Sequence, residues 1–355
     1  MSGLYSREFE RFEKVERFGR VKACLDCLPC LARNAIDLAR KSAQGDAALE
    51  AEIARSGMEI LGSAAADGYP LPPPCYARRL IDNALVKCGG SVPDPWMKEK
   101  KTSTELALKL MERLDEIPGW NAESFESRLR LAVAGNILDF SIYADLDIAA
   151  AMETMATAFT KPICGWMGWP YVPRDRGHAG RVPLPGNGIV AELKRRMDEA
   201  KSILWIFDNC GEAVFDRLLM EPYRDKLTLA VRGKPAFNDL TCAELEESGF
   251  PPDFAKGGVV SNDDGVPGVV DATCGAAFRA AFASADLIVA KGQANFETMN
   301  ERTDKPIAFL FLAKCPVVCR TINAEPKTIQ VLLSVKPSAD NPRKRVVLEG
   351  IKKRE

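Results

Sequence analysis

Polar residues that suit metal and phosphate chemistry follow four apolar segments of strand length in the second half of the chain. The first segment ends in Asp208-Asn209-Cys210-Gly211-Glu212, and the second ends in Val231-Arg232-Gly233-Lys234-Pro235, with Asn238-Asp239 close behind. The other two lead into Lys291-Gly292-Gln293-Ala294-Asn295-Phe296-Glu297 and into Lys314. Together these ends supply carboxylates, amides and cations, the groups that can hold a metal ion and an anion side by side.

The oxygen atoms of these residues are hard ligands of the kind that Mg²⁺ or Mn²⁺ prefers. The candidate metal ligands are Asp208, Asn209 and Asp239. The cations that could neutralise an anion on that metal are Arg232, Lys291 and Lys314. An Asp-Asn pair after a strand is also a common helix cap, so the prediction depends on recurrence at several strand ends. The pattern favours a metal-assisted phosphoryl site.

Short apolar segments alternate with helical segments after about residue 190, which predicts a mostly parallel sheet covered by helices. The predicted strands are Ser202–Phe207, Leu227–Val231, Gly258–Ser261, Leu287–Ala290 and Pro306–Phe311. The predicted helices between them are Glu212–Met220, Ala243–Glu247 and Ala276–Ala283. Because ligands of such sheets bind beyond the carboxyl ends of the strands, the polar residues are expected to meet at one edge.

The first half of the chain has apolar residues at helical spacing from about residue 8 to 160. We therefore predict two domains: an all-helical domain of residues 1–190, and a three-layer α/β/α Rossmann-like domain of residues 191–355 that carries the metal site. The stretch from Lys161 to Pro185, rich in Gly, Pro and Trp, is expected to be a long irregular connection.

A group of cysteines near the start of the chain is a candidate second metal site. Its members are Cys24, Cys27, Cys30 and Cys75. Three of them have C-x-x-C spacing, which is typical of a structural Zn²⁺ site and is also compatible with iron–sulfur ligation. The alternatives are that they are small buried residues, as free cysteines commonly are, or that they take part in redox chemistry.

Composition excludes several classes of function. The 355 residues include 48 Lys plus Arg, 49 Asp plus Glu and a single His, with a formal net charge of -1. One His cannot build an H-E-x-x-H protease or a His-rich metal site, and the balanced charge does not favour nucleic-acid binding. No signal peptide and no membrane-length apolar run is present, so a cytoplasmic location with reduced thiols is expected.

Four motifs, in order, carry a resemblance to a known family. They are Gly135-Asn136-Ile137-Leu138-Asp139-Phe140, Asp208–Glu212, Pro235-Ala236-Phe237-Asn238-Asp239-Leu240-Thr241 and Lys291–Thr298. With them the chain resembles, from about residue 20 to 320, the metal-dependent damage-control phosphatases. This family is also called acidic-residue methyltransferase-like, or domain of unknown function 89, and the microbial group with N-terminal cysteines is the most similar. Its fold joins a helical domain to an α/β domain.

The resemblance implies hydrolysis of phosphate monoesters of small metabolites, such as sugar phosphates or damaged phosphometabolites, with Mn²⁺, Co²⁺ or Ni²⁺. It implies that Asp208, Asn209 and Asp239 bind the metal, and that Lys314 and the backbone around Gly233 contact phosphate. It also implies that Asn136 and Asp139 enter the site from the helical half, and that Cys27, Cys30 and Cys75 suggest a structural metal. The loop Ser261–Val269 departs from the family pattern, so substrate specificity is not carried over.

We therefore predict a divalent-metal-dependent phosphatase that acts on a small phosphorylated metabolite, with neither a nucleic acid nor a membrane as partner. The predicted catalytic residues are Asn136, Asp139, Asp208 and Asp239, and the predicted phosphate or substrate contacts are Arg232, Gly233, Lys291, Asn295, Glu297 and Lys314. Attack by a metal-activated water that Asp139 orients is preferred to attack by an Asp carboxylate. The alternatives are a metal-binding regulatory protein with a vestigial site and, lower, a carboxyl methyltransferase, because no G-x-G-x-x-G follows a strand. The oligomeric state stays open.

Overall fold

The structure, a computed structural model, describes residues 21–90, 94–138, 148–168, 181–302 and 304–334. The helices are α1 Leu28–Ala43, α2 Ala47–Ala66, α3 Pro73–Lys87, α4 Met97–Met111, α5 Phe125–Ala134, α6 Ile148–Thr160, α7 Gly186–Glu199, α8 Cys210–Met220, α9 Ala276–Ser284, α10 Gln293–Met299 and α11 Pro316–Ile322. The strands are β1 Ile163–Gly168, β2 Arg181–Leu184, β3 Ile203–Ile206, β4 Leu227–Val231, β5 Val259–Ser261, β6 Leu287–Lys291, β7 Ile307–Leu312 and β8 Ile329–Ser334.

Local signals in the sequence set several helix starts. Asp46 caps α2 by accepting hydrogen bonds from the backbone N–H groups of Ala48 and Leu49, at 3.0 and 3.1 Å. The side chain of Ser124 accepts one from Ser127 N at the start of α5. Both α3 and α11 have a proline in their first turn, where a missing N–H breaks no helical hydrogen bond.

The strands form one eight-stranded sheet in the order β2-β1-β8-β7-β6-β3-β4-β5. The pairs β4–β5, β3–β4, β3–β6, β6–β7 and β1–β8 are parallel, whereas β7–β8 and β1–β2 are antiparallel. The mostly parallel sheet is thereby confirmed, and β3, β4, β6 and β7 end at the same edge. The chain reverses its direction of winding between β3 and β6, which is where ligands of open α/β sheets bind.

Both faces of the sheet are covered, because the side chains of each strand alternate between two separate apolar cores. One face packs against α5, α7 and α8 through residues such as Leu129, Leu193 and Leu219. The other face packs against α9, α10 and α11 through Phe278, Phe296 and Val318. Fully apolar strands such as β7 are buried along their whole length, as expected for a sheet between two helical layers.

The N-terminal region is helical, as predicted, and packs in two groups. Helices α1, α2 and α3 share a core that also includes Trp96 and, from the loops of the sheet region, Ala236 and Val266. Helices α4, α5 and α6 share a core with Val214 and Phe215 of α8. The helical region therefore contacts both α8 and the loop after β4. Within the described residues, no helix is both long and apolar enough to cross a membrane.

Some predicted elements are wrong. The stretch from Lys161 to Pro185 is not simply an irregular connection, because β1 and β2 form the end of the sheet beside β8, which the sequence pattern also missed. The predicted helix Ala243–Glu247 is only a 3₁₀ turn at Cys242–Glu244. The domain boundary at residue 190 stays a prediction, and the strands β1 and β2 lie on its N-terminal side.

Candidate metal and phosphate site

The three predicted metal ligands lie together at the carboxyl edge of the sheet. Asp208 and Asn209 follow β3, and Asp239 lies in the loop after β4. Leu240 N donates a 2.8 Å hydrogen bond to Asp208 O, and Asn209 pairs with Asp239 as an isolated antiparallel bridge. All three side chains are buried. The short ladder between the two loops brings a carboxylate, an amide and a second carboxylate to one place.

Amide groups orient the Asp208 carboxylate. Asn136 Nδ2 donates to Asp208 Oδ2 at 2.9 Å and to Glu212 Oε2 at 2.7 Å. Asn209 Nδ2 donates to the same Asp208 Oδ2 at 3.0 Å. Both amide groups bind Oδ2, so Asp208 Oδ1 takes no part in these hydrogen bonds. Asn136 lies on the 3₁₀ turn Gly135–Leu138 after α5, so it reaches the site from the helical region, where it was predicted.

The turn after β6 closes against Asp208. Gly292 has φ 80° and ψ 157°, a backbone conformation that is essentially restricted to glycine. A Cβ atom on Gly292 would lie 2.1 Å from Asp208 Cγ. Both the conformation and the close approach therefore require glycine at this position.

Negative charge dominates the site. The pKa of the Asp208 carboxyl is raised well above its usual value by burial, and further by repulsion from Asp239 and Glu212. The cations Arg232 and Lys314 oppose this shift. Lys314 is half-buried, and its Nζ donates to Asn136 O at 3.0 Å. The arrangement stabilises an added cation beside Asp208 and holds one ammonium group nearby.

The donor set fits a hard divalent cation. Two buried carboxylates and one amide oxygen, with excess negative charge, are ligands that Mg²⁺ or Mn²⁺ accepts while it retains positions for water. Among the residues that the structure describes, no three His, Cys, Asp or Glu side chains form a group that could hold a metal. The candidate ligand set contains only two such residues, Asp208 and Asp239, and its third member is Asn209.

Lys291 is fully buried next to the site, with protein groups as its partners, and its contact with phosphate stays a prediction. Its side chain is fully buried in β6, and its Nζ donates to Glu212 Oε1 at 2.5 Å, Asp216 Oδ1 at 2.6 Å and Ala132 O at 2.9 Å. These three bonds use all three ammonium hydrogens. Burial would lower the pKa of Lys291, but Asp216 and Glu212 outweigh it and raise that pKa. Lys291 therefore anchors Glu212, which in turn binds Asn136.

Arg232 and Asn295 are also buried next to the site and bonded to protein groups. Arg232 is buried, and its Nε donates to Asp239 Oδ2 at 2.6 Å while its other nitrogens donate to Gly268 O at 2.7 Å and Asn295 Oδ1 at 3.3 Å. Asn295 Nδ2 donates to Lys291 O at 2.6 Å. Both residues were predicted to contact substrate, but their hydrogen bonds orient Asp239 and join β6 to α10.

Gly233 is exposed beside Arg232, but its N–H already has protein partners. It donates to Asn262 Oδ1 at 2.8 Å and to Asp264 O at 2.9 Å. The predicted phosphate contact through this N–H would have to replace the Asn262 bond. Asn262 lies in the loop Ser261–Val269, which departs from the family pattern.

Gln293 connects Lys314 with Glu297. Gln293 Oε1 accepts hydrogen bonds from Lys314 N and Cys315 N, both at 3.2 Å, and Gln293 Nε2 donates to Glu297 Oε1 at 2.7 Å. Burial raises the pKa of Glu297 to about 7, against the effect of the Gln293 bond. Glu297 is thus linked through Gln293 to the loop that carries Lys314, and its contact with substrate stays a prediction.

The structure does not bring the four cysteines together as a metal site. The Sγ atoms of Cys24 and Cys27 are 4.0 Å apart, whereas Cys30 is exposed and Cys75 is fully buried. Burial raises the pKa of Cys27 to about 12, and the neighbouring thiols of Cys24 and Cys315 add to this shift. Cys315, which directly precedes α11, is therefore a neighbour of Cys27.

Asp139, the predicted water-orienting residue, lies outside the described residues. Sequence reasoning also left out Glu212, Asp216 and Gln293, which support the site. Glu212 had a detectable signal, because it ends the same motif as Asp208 and lies one helical turn after Asn209. Gln293 likewise lies in the motif that begins with Lys291. Asp216 had no such signal, because its partner Lys291 comes from a distant segment.

These features define an α/β protein with an adjoining helical region and a buried, carboxylate-rich site at the strand ends. The family model described as Damage-control phosphatase ARMT1-like domain matches residues 23–165 and 185–329, so the chain belongs to that family.

Relatives from archaea agree with this assignment. A damage-control phosphatase of Pyrococcus horikoshii is 32% identical over 254 residues, which cover 70% of this chain and 77% of the relative. A damage-control phosphatase of Archaeoglobus fulgidus is 28% identical over 236 residues, 65% of this chain and 73% of the relative. A crystal structure of a protein of the domain of unknown function 89 family from Pyrococcus horikoshii superposes with a TM-score of 0.67 at 25% identity, covering 87% of this chain and 98% of that one.

Proposed function

We propose that the protein is a divalent-metal-dependent phosphatase that hydrolyses phosphate monoesters of small metabolites, such as sugar phosphates or damaged phosphometabolites. The observation that carries the proposal is the meeting of Asp208, Asn209 and Asp239 at the strand ends, with the Lys314 ammonium beside them. Family membership supports the reaction class, and the names of two relatives support phosphate-ester chemistry in this fold.

In this proposal, different side chains bind the metal and orient its ligands. Asp208, Asn209 and Asp239 would hold Mn²⁺, Co²⁺, Ni²⁺ or Mg²⁺ through their oxygen atoms. When bound, such a cation polarises a phosphoryl oxygen and lowers the pKa of water. Asn136 keeps the Asp208 carboxylate in one orientation, and Arg232 does the same for Asp239.

Lys314 is the phosphate-binding candidate that the geometry favours most. It is half-buried, it is close enough to lower the pKa of Asp208, and it is held by the carbonyl of Asn136. An ammonium group at this place neutralises charge on a phosphoryl group as the ester bond breaks. The role of Asp139 in orienting the attacking water stays a hypothesis.

The test is phosphate release by chelator-treated protein from p-nitrophenyl phosphate and from a panel of sugar phosphates. Added Mn²⁺, Co²⁺ or Ni²⁺ should restore turnover in wild type, whereas Asp208→Ala should lower it at least 10³-fold because it removes a metal ligand. Asp225→Ala should retain wild-type turnover, because Asp225 is exposed and precedes β4, at the edge of the sheet opposite the site. Full activity of Asp208→Ala, or absence of metal-stimulated turnover in folded wild type, would contradict the proposal; the latter result would favour a regulatory protein.

A further inference from the structure

The turn that delivers Asp239 contains a bulky residue in a left-handed conformation. Phe237 has φ 52°, and it is followed directly by Asn238 and Asp239. Asp239 N donates to Ala236 O at 3.1 Å, so this conformation closes the turn. Gly and Asn adopt positive φ readily, but for an aromatic residue it is unfavourable unless the surroundings enforce it. Contacts around the turn must therefore hold Phe237 in this conformation.

The helical region supplies one holding contact. The ring of Trp96, which directly precedes α4, packs against the ring of Phe237 with centroids 5.3 Å apart and planes tilted by 56°. Trp96 is buried, and its backbone N–H donates to Asp94 Oδ1 at 2.9 Å. Ala236, on the other side of the turn, is buried in the same apolar core. A rigid ring from the helical region thus covers the turn.

A buried lysine supplies a second holding contact. Lys100 of α4 is buried, and its Nζ lies 2.7 Å from Asp94 Oδ2 and 3.1 Å from Glu244 Oε1. Glu244 forms a capping box with Thr241, accepting from Thr241 N at 3.0 Å. The loop is therefore attached to α4 on both sides of Asp239, once through Phe237 and once through Glu244.

We propose that Trp96, Lys100 and Phe237 are positioning residues that hold Asp239 in its metal-binding place, so that the helical region sets the metal affinity of the site. The proposal rests on the proposed function only in taking Asp239 as a metal ligand. None of the three residues needs to touch the metal or the substrate. They act through the conformation of the turn, and loss of the contacts lets Phe237 return to negative φ and moves Asp239 away.

A matched pair of variants at residue 237 tests the conformational part. Phe237→Ala and Phe237→Asn both remove the ring, but only Asn tolerates the left-handed conformation. The readout is Mn²⁺ binding by electron paramagnetic resonance, together with the Mn²⁺ concentration that half-activates turnover. Phe237→Ala should weaken binding about tenfold, which corresponds to about 1.4 kcal/mol. Phe237→Asn should stay within about threefold of wild type, and kcat at saturating Mn²⁺ should be similar in both.

A second series at residue 96 tests the contact between the regions. Trp96→Ala should weaken Mn²⁺ binding as Phe237→Ala does, whereas Trp96→Phe, which retains a ring, should restore most of the affinity. Trp120→Ala is the matched control, because Trp120 packs against Phe159 within the helical region. Thermal unfolding checks that each variant is folded.

Equal Mn²⁺ affinity in Phe237→Ala and Phe237→Asn, or wild-type affinity in folded Trp96→Ala, would overturn the positioning role. The proposed function is judged separately, because it depends on whether wild type releases phosphate when Mn²⁺ is added. If wild type binds Mn²⁺ without turnover, the proposed function fails and the affinity series still tests the positioning role.

Discussion

At the scale of single residues, burial separates Lys314, which is half-buried, from the other predicted phosphate-binding cations. Lys291, Arg232 and Asn295 follow strands and carry the right chemistry for phosphate, yet all three are buried and hydrogen-bonded to protein groups. The sequence predicted that they contact phosphate or substrate, and the structure places them next to Asp239 and Glu212. The sequence could not predict that they are buried, because the direction of a side chain at a strand end depends on the packing of distant helices.

Lys291→Met tests the position of this lysine. The variant leaves Glu212 and Asp216 buried without their cation, so it should lower the free energy of unfolding by about 3–5 kcal/mol. Urea unfolding measures this loss. Lys194→Met, which breaks an exposed pair with Asp198, should change stability by less than about 1 kcal/mol. A stable Lys291→Met protein that loses only substrate affinity would indicate that Lys291 contacts phosphate after all.

Glu297 predicts a pH dependence of stability. Its pKa is about 7 in the folded protein, above its ordinary value of 4.5, so the folded state binds this proton more tightly than the unfolded chain does. The free energy of unfolding should therefore fall as pH rises from 4.5 to about 7, by on the order of 3 kcal/mol. In Glu297→Gln this part should vanish, and the variant should exceed wild type in stability at pH 8.

Denaturant unfolding of metal-free protein at pH 5 and pH 8 provides the measurement. The exposed Glu247→Gln serves as control and should follow wild type. Burial also raises the pKa of Asp216 from 3.8 to about 7, so a decline of comparable size should persist in Glu297→Gln. An identical pH dependence in Glu297→Gln and wild type would contradict the assignment.

At the scale of elements, the turns after the strands decide the geometry of the site. The apolar segments of β3, β4, β5, β6 and β7 were predicted because each is a short buried run bounded by turn residues. β1 and β2 were missed because glycines and prolines interrupt their pattern. β8 pairs with β1, which lies far from it in the sequence, a contact that local periodicity cannot indicate.

The turn at Gly292 gives a sharp prediction at this scale. Gly292→Ala should lower kcat/KM at saturating Mn²⁺ more than 100-fold, because the new Cβ displaces the Asp208 carboxylate. Gly89→Ala is the control: its φ is 78°, but nothing lies within 4 Å of a Cβ there. That variant should lose about 1 kcal/mol of stability and retain its activity. Similar activity losses in both variants would show that backbone conformation alone, and not contact with Asp208, is responsible.

At the scale of the whole molecule, the helical region is part of the site. It contributes Asn136 directly and holds the loop of Asp239 through Trp96 and Lys100. The two-part organisation was predictable from the change in hydrophobic period. The contacts between the parts were not, since a buried lysine between Asp94 and Glu244 has no local signature. Metal affinity and the packing of the two regions are therefore expected to change together.

Asp208, Asn209 and Asp239 are central to the proposed function, because they would hold the cation that makes phosphate-ester hydrolysis possible. The direct measurement is a Mn²⁺ titration of metal-stripped protein, with bound Mn²⁺ and phosphate release followed on the same samples in wild type and in Asp239→Ala. We predict that binding and activity rise together in wild type, with the same midpoint, and that both are lost in a folded Asp239→Ala protein. Mn²⁺-dependent turnover of Asp239→Ala at the wild-type midpoint would contradict the account.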